Sequence, residues 1–249
     1  MLYSDIVNGV NDRLNNKYFS DTHSNEIFRA VNQALRDINV GKISDNPKDQ
    51  PRRRVAYDFQ RESTDLSYTS GTERYTTSTY ITDLTALKWI EDILIDDDEN
   101  ARFTKRTASY FIRKRGVNSS TEKMFAEEYL NGTRSVLIYH SETDTLNLIW
   151  YSNYLVTYGG TRQKYFTEGA TLNNQELLVP EEFADSVINI AVGYLYLQDR
   201  NEQTTSSNFF LNSGRQTLIN MISSIGKYEK KPFDGLNIMN EWGIYETNS

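Results

Sequence analysis

The stretch SNEIFRAVNQALRDINVG, residues 24–41, is an amphipathic helix, and no later stretch of comparable helical strength appears for well over a hundred residues. Ile27, Val31, Leu35 and Ile38 recur at helical spacing, and Phe28 and Ala34 widen the stripe. Ser24 suits an N-cap and Gly41 a C-terminal stop. A shorter stripe over 3–15 carries Ile6, Val10 and Leu14, with Ser4 and Asp5 at its start. Two such helices alone bury too little surface to be stable. Helical patterning returns in strength only at 180. Phe183, Val187, Ile190, Ala191 and Tyr194 make one stripe, and Ile188, Val192, Leu195 and Tyr196 fill much of the remaining circumference. A helix apolar nearly all round is buried on more than one side. Gly193 in its middle costs about 1 kcal/mol relative to Ala, and it reads either as a tolerated imperfection or as close approach of another helix. A last helix, 205–225, turns Leu211, Leu218, Ile222 and Ile225 one way and stops at Gly226. The four helices are therefore expected to share one core, with Ile27, Val31, Leu35, Ile38, Phe183, Val187, Ile190, Ala191, Tyr194, Leu218 and Ile222 inside it.

The intervening residues read differently. After a linker with two prolines at 42–51, residues 54–60 and 73–82 show strand character, and 87–96 is apolar and mostly strand. Residues 96–100 (DDDEN) read as a turn or hairpin loop, and 107–116 as a strand or a short helix. Residues 119–130 read as a short helix capped by Ser120, with Asn131-Gly132 as its stop or turn. SVLIYH (135–140) and TLNLIWY (145–151) flank SETD as a hairpin. The expected fold class is α+β: N- and C-terminal helices (1–41 and 179–226) forming one helical bundle, with an inserted antiparallel β-rich domain (42–178). The tail, 227–249, contains Pro232 and Gly235, which argue against helix. It also carries Phe233, Leu236, Ile238, Met239, Trp242, Ile244 and Tyr245, more apolar surface than a solvated tail holds. It either folds back onto its own bundle or, the favoured reading, is a docking segment with Trp242 as its main anchor.

Composition narrows the chemistry. The chain has no cysteine, so disulfides, thiolate metal sites and cysteine nucleophiles are excluded. Its formal charge of −7 argues against a nucleic-acid binder, whose affinity comes from cations on phosphates. The opening residues lack the basic and apolar regions of a signal peptide, and no apolar run is long enough to span a bilayer. Phosphate-binding glycine loops and serine-nucleophile elbows are absent. DDDENARF lacks the glycine and glutamate of a calcium loop. His23 lies in a polar loop and His140 at a strand end, and neither is assigned a zinc site. The Arg52-Arg53-Arg54 run reads as solvated surface or as contact with an acidic partner. No catalytic, cofactor or metal residue is assigned, and no enzyme is expected.

The order of segments resembles the head-to-tail connector proteins of tailed bacteriophages: adaptors, or neck ring proteins, that dock under the portal. The resemblance rests first on Glu26, Ile27, Val31, Asn32, Ala34, Leu35, Arg36, Asp37 and Ile38, preceded by YSDIVNGVNDRLNN. It rests second on Pro180, Glu182, Phe183, Val187, Ile190, Ala191 and Leu195 in LLVPEEFADSVINIAVGYLYLQDR. It is similar above all to the tubular-tail adaptors of short-tailed phages. That resemblance implies a structural virion protein of the neck, assembled in the host cytoplasm. It implies a closed homo-oligomeric ring, a dodecamer matching the portal's symmetry. It further implies contacts with portal protein and downstream tail proteins, and genomic DNA passing through without specific binding. The tail at 227–249 would then dock on portal or on an adjacent subunit. Two other readings stand beside it: a β-sandwich carbohydrate- or receptor-binding module on a helical base, and a hydrolase using scattered carboxylates.

Overall fold

The structure is a computed structural model, and it describes residues 1–14, 24–51, 53–81, 83–95, 98–114, 122–198 and 204–230. Among the described residues five α-helices form: α1 (Tyr3–Arg13), α2 (Ser24–Val40), α3 (Ala108–Lys114), α4 (Ala184–Gln198) and α5 (Thr204–Ile225). The strands among these residues are β1 (Val55–Tyr57), β2 (Arg61–Tyr68), β3 (Arg74–Thr76), β4 (Leu87–Ile95), β5 (Asp98–Arg102), β6 (Thr104–Lys105) and β7 (Met124–Leu130). They continue with β8 (Thr133–Tyr139), β9 (Asp144–Ser152), β10 (Val156–Tyr158), β11 (Thr161–Gln163), β12 (Glu176–Leu177) and β13 (Gly226–Tyr228). The sheet orders are β1-β13, β11-β10-β12, β2-β9-β4-β5 and β3-β8-β7-β6. The chain divides into two units: Met1–Arg61 with Tyr151–Glu229, and Glu62–Trp150, to which Lys230 also belongs.

This architecture corrects the expected fold class of a bundle of N- and C-terminal helices carrying an antiparallel insertion. The fold is mostly multi-sheet and β-rich, and its helices are scattered along the chain. Helix α3 takes the short-helix alternative read for 107–116, inside the region expected to be β-rich, and β6 pairs with β7 in parallel. Two of the four sheets share the first unit with α1, α2, α4 and α5. The physical reason lies in the core. The helix stripes do not close on one another alone, because Val55 and Tyr57, Leu155 and Val156, Phe166, Leu177 and Val179 are buried among them. Strands and loops supply the cover that a bundle would take from helices.

Within that unit α4 packs on α1, α2 and α5. Helix α2 ends as its sequence requires. Gly41 takes φ +67°, its N–H donates to the Ile38 carbonyl at 3.0 Å, and the Lys42 N–H donates to the Asp37 carbonyl at 2.8 Å. This is the paired closure of a Schellman motif. At the α4–α5 crossing each helix contributes a glycine. A Cβ on Gly193 would lie 2.6 Å from Leu211 Cγ, and one on Gly214 would lie 2.9 Å from the Ile190 backbone nitrogen. The helix-weakening glycine at 193 is thus explained by a close approach of backbones.

The second unit holds the two four-stranded sheets. Met124 and Ala126 of β7 pack with Phe111 of α3 and Leu137 of β8. Antiparallel pairing with β8 along its whole length makes 124–130 a strand, not the helix expected over 119–130 (of which 119–121 lie outside the described residues). Asn131 and Gly132 take φ 51° and 78°, the left-handed pair of a two-residue hairpin turn between β7 and β8. The hairpin expected at 135–151 is also corrected. Strand β8 is flanked by β3 and β7, and β9 by β2 and β4, so both edges of each are taken by other partners. Residues 98–100, read as turn, belong to β5, which pairs antiparallel with β4.

Alanine in place of glycine ordinarily stabilises a helix interior by about 1 kcal/mol. At Gly193 and Gly214 the sign should reverse, because the added methyl overlaps Leu211 or the Ile190 backbone. Gly193→Ala and Gly214→Ala are each expected to lose about 1–3 kcal/mol in urea unfolding. A gain at both sites would show that the helices have room between them.

Candidate functional site

Two of the polar residues on α2 that carry the resemblance, Asn32 and Asp37, are internal tie points, whereas Arg36 is exposed. Asn32 is buried, and its amide binds both backbone groups of Phe166, donating to the carbonyl and accepting from the N–H, each at 3.0 Å. Asp37 is buried as well. One of its oxygens accepts from the Tyr194 hydroxyl of α4 at 2.5 Å, and the other from Gln33 Nε2 at 3.2 Å. Lys42 lies 3.8 Å from Asp37 and 2.9 Å from Asp45, which also takes Arg215 of α5 at 2.8 Å. Burial pushes the Tyr194 hydroxyl above its ordinary value, and the bond to Asp37 pushes it further. Burial works to raise the Asp45 carboxyl, but Lys42 and Arg215 outweigh it and hold it low. The arrangement links α2, α4 and α5 through charge and hydrogen bonds. A buried polar group without such partners would cost about 1–3 kcal/mol.

The expected core residues fall as follows. Ile27, Val31, Leu35, Ile38, Phe183, Val187, Ile190, Ala191, Leu218 and Ile222 are buried in one cluster, and Tyr194 packs against it half-buried. Phe233, Leu236, Ile238, Met239, Trp242, Ile244 and Tyr245 lie outside the described residues, as does His23. The first residues of that tail engage their own chain. Lys227 and Tyr228 pair with β1, and Lys230 meets Glu91 at 2.9 Å. Arg54 of the arginine run meets Glu229 at 3.4 Å.

Sequence reasoning missed the roles of Asn32 and Asp37. Their signal was present: two polar residues beside the inward face of an otherwise apolar stripe. It missed Gln60 altogether. That side chain is fully buried, accepts from the Tyr57 N–H at 3.2 Å and donates to Asn39 Oδ1 and the Tyr154 carbonyl, both at 3.3 Å.

In the second unit the most constrained charge is Glu127 on β7. Lys105 of β6 meets its Oε1 at 2.8 Å and Arg134 of β8 binds its Oε2. The cations reach further, to backbone carbonyls of β4: Lys105 to Ile90 at 2.7 Å, and Arg134 to Leu87 at 3.3 Å and Lys88 at 3.1 Å. The triad therefore stitches the sheet holding β6, β7 and β8 to the one holding β4. Burial acts to raise the Glu127 carboxyl, but Lys105 and Arg134 prevail and hold it below the usual range. Nearby, burial pushes the Lys88 ammonium down to about 7.

Large apolar side chains are exposed at several places, among them two clusters. In the first unit Phe209 is 67% and Leu197 51% exposed, and Phe209 sits edge-on to Phe210, whose ring stacks on Tyr196. In the second unit Tyr129 is 75% and Leu130 50% exposed at the β7–β8 turn. A cleft of about 440 Å³ is lined by Tyr3 and Val7 of α1, Ser24 and Phe28 of α2, and Leu172. Among the described residues no helix is long and apolar enough to cross a membrane. Compared with protein-family models and with curated proteins, the chain matches none.

The Glu127 triad makes stability depend on pH. A carboxyl held low in the folded state stabilises fully above its unfolded value, about 4.3, and loses that contribution as pH falls through the folded value. Glu127→Gln leaves two cations facing no charge and should cost about 3–5 kcal/mol at pH 7. Its stability should then fall less steeply than the wild type's below pH of about 4. Parallel acid limbs for the two proteins would show that Glu127 is not the group that titrates.

Proposed function

We propose that the chain is a structural protein of the tailed-phage virion, a head-to-tail adaptor. It docks beneath the portal as a ring, extends the DNA conduit and offers the platform to which the tail attaches. One observation supports this reading most. The two stretches that bear the resemblance, far apart in the chain, meet in the first unit. Ala34, Leu35 and Ile38 share a buried cluster with Val187, Ile190, Ala191 and Leu195, and Tyr194 donates to Asp37.

In this reading the first unit makes the portal and subunit contacts, and downstream tail or neck proteins bind the assembled ring. Phe209 and Leu197 supply the exposed apolar surface for the contact between neighbouring copies. A heterologous contact of this kind closes into a ring, here a dodecamer. The net charge of −7 keeps DNA from adhering as it passes. The protein acts in the virion neck after assembly in the host cytoplasm, and it catalyses no reaction.

The test is assembly. Alone, the chain should sediment as a monomer; mixed with portal rings from the same virus, it should add as a ring visible by electron microscopy. Phe209→Ser should block ring formation while leaving Tm within about 2 °C. A chain that stays monomeric beside portal would defeat the reading. So would a small stable oligomer that binds glycans, which is the behaviour of a carbohydrate-binding module.

A further inference from the structure

The turn from β8 to β9 reads His140-Ser141-Glu142-Thr143-Asp144, with potential metal ligands at alternate positions. In an extended chain, alternate residues point to one side, and here the three do converge. His140 nitrogen and the carboxylate oxygens of Glu142 and Asp144 all lie within 4.8 Å of one another.

The histidine supplies the second, independent observation. Its side chain is 3% exposed, and the ring sits 5.7 Å from Tyr68 and edge-on to Phe103 at 5.6 Å. Its Nε2 is buried and makes no hydrogen bond. Asp144 Oδ2 is 3.6 Å away, beyond hydrogen-bonding reach. That gap fits a different chemistry. Two ligands each about 2.0–2.2 Å from a shared ion in tetrahedral geometry lie about 3.3–3.6 Å apart, and the observed gap sits at the upper end of that range. Asp144 already uses Oδ1 to accept from the Thr145 N–H at 3.1 Å, which leaves Oδ2 on the histidine side. The turn is also held in place: Tyr68 donates to the His140 carbonyl at 2.8 Å and Ser70 to the Ser141 carbonyl at 2.9 Å.

We infer that this turn binds one divalent transition-metal ion through His140 Nε2 and the carboxylates of Glu142 and Asp144. One imidazole nitrogen with two carboxylates suits zinc or its first-row neighbours. Calcium and magnesium favour all-oxygen shells and gain little from the histidine. Glu142 is exposed and Asp144 half-buried, so the ion has a path from solvent and room for water as a further ligand. The bound ion would pin a turn that joins strands of two different sheets. This inference rests on the second unit's own residues and is independent of the role proposed above.

The experiment titrates Zn²⁺ into the full chain by calorimetry, with imidazole resonances followed by NMR. One equivalent should bind and shift the His140 signals, with His23 identified from its loss in His23→Gln. Glu142→Gln and Asp144→Asn change partly exposed side chains and should leave the fold intact. Each should weaken Zn²⁺ binding by about tenfold or more, and equimolar Ca²⁺ or Mg²⁺ should not compete. No stoichiometric binding would overturn the inference. So would binding unchanged in both carboxylate variants, or a shift confined to His23.

Discussion

The structure turns on one amide, Gln60. Its Oε1 holds the Tyr57 N–H, its Nε2 holds Asn39 at the end of α2 and the Tyr154 carbonyl, and its own carbonyl accepts from Ser152 Oγ at 3.1 Å. The chain leaves the first unit just after this residue and returns just before Ser152. The departing and returning segments are therefore tied together at a fully buried point. Burying an amide is unfavourable unless its hydrogen bonds are met, so the site tolerates one arrangement of three segments and few others. Because the exit and return lie side by side, the residues from 62 to 150 can form their own sheets while the first unit keeps its core.

Polar residues inside apolar stripes repeat this logic. Asn32 holds Phe166, and Asp37 holds Tyr194 while Lys42 and Arg215 converge on Asp45. Apolar burial supplies most of the driving force but has no direction. Hydrogen bonds from these few buried groups select which loop and which helix face complete the core. In the second unit Glu127 plays the corresponding part, with two cations that also reach backbone carbonyls of β4. In the proposed adaptor the first unit would offer the exposed Phe209 and Leu197 for contact with other chains.

Helices were the legible part of the sequence. Their stripes have a long period and clear stops, and Gly41 closes α2 where its pattern ends. The sheets were less legible because strand pairing depends on which edges are already taken. SVLIYH and TLNLIWY look like hairpin partners, yet β3, β7, β2 and β4 occupy their edges. Residues 119–130 misread because a short apolar run with Asn-Gly at its end fits either a helix stop or a hairpin turn. Coverage of the helical core by Val55, Leu155 and Phe166 was invisible, since nothing local marks a strand or loop residue as the lid of a distant helix. At the His140 turn the alternate spacing of histidine and two carboxylates was readable. What could not be read was the burial of Nε2 away from any acceptor.

The central structural claim is that the first unit is complete once Gln60 joins its two segments. The direct measurement is calorimetry on a chain in which residues 62–150 are replaced by a short Gly-Ser linker from Arg61 to Tyr151. A single cooperative unfolding transition with helical far-UV circular dichroism is the predicted result. A chain that shows no cooperative heat absorption, or that loses its helix signal at room temperature, would contradict it.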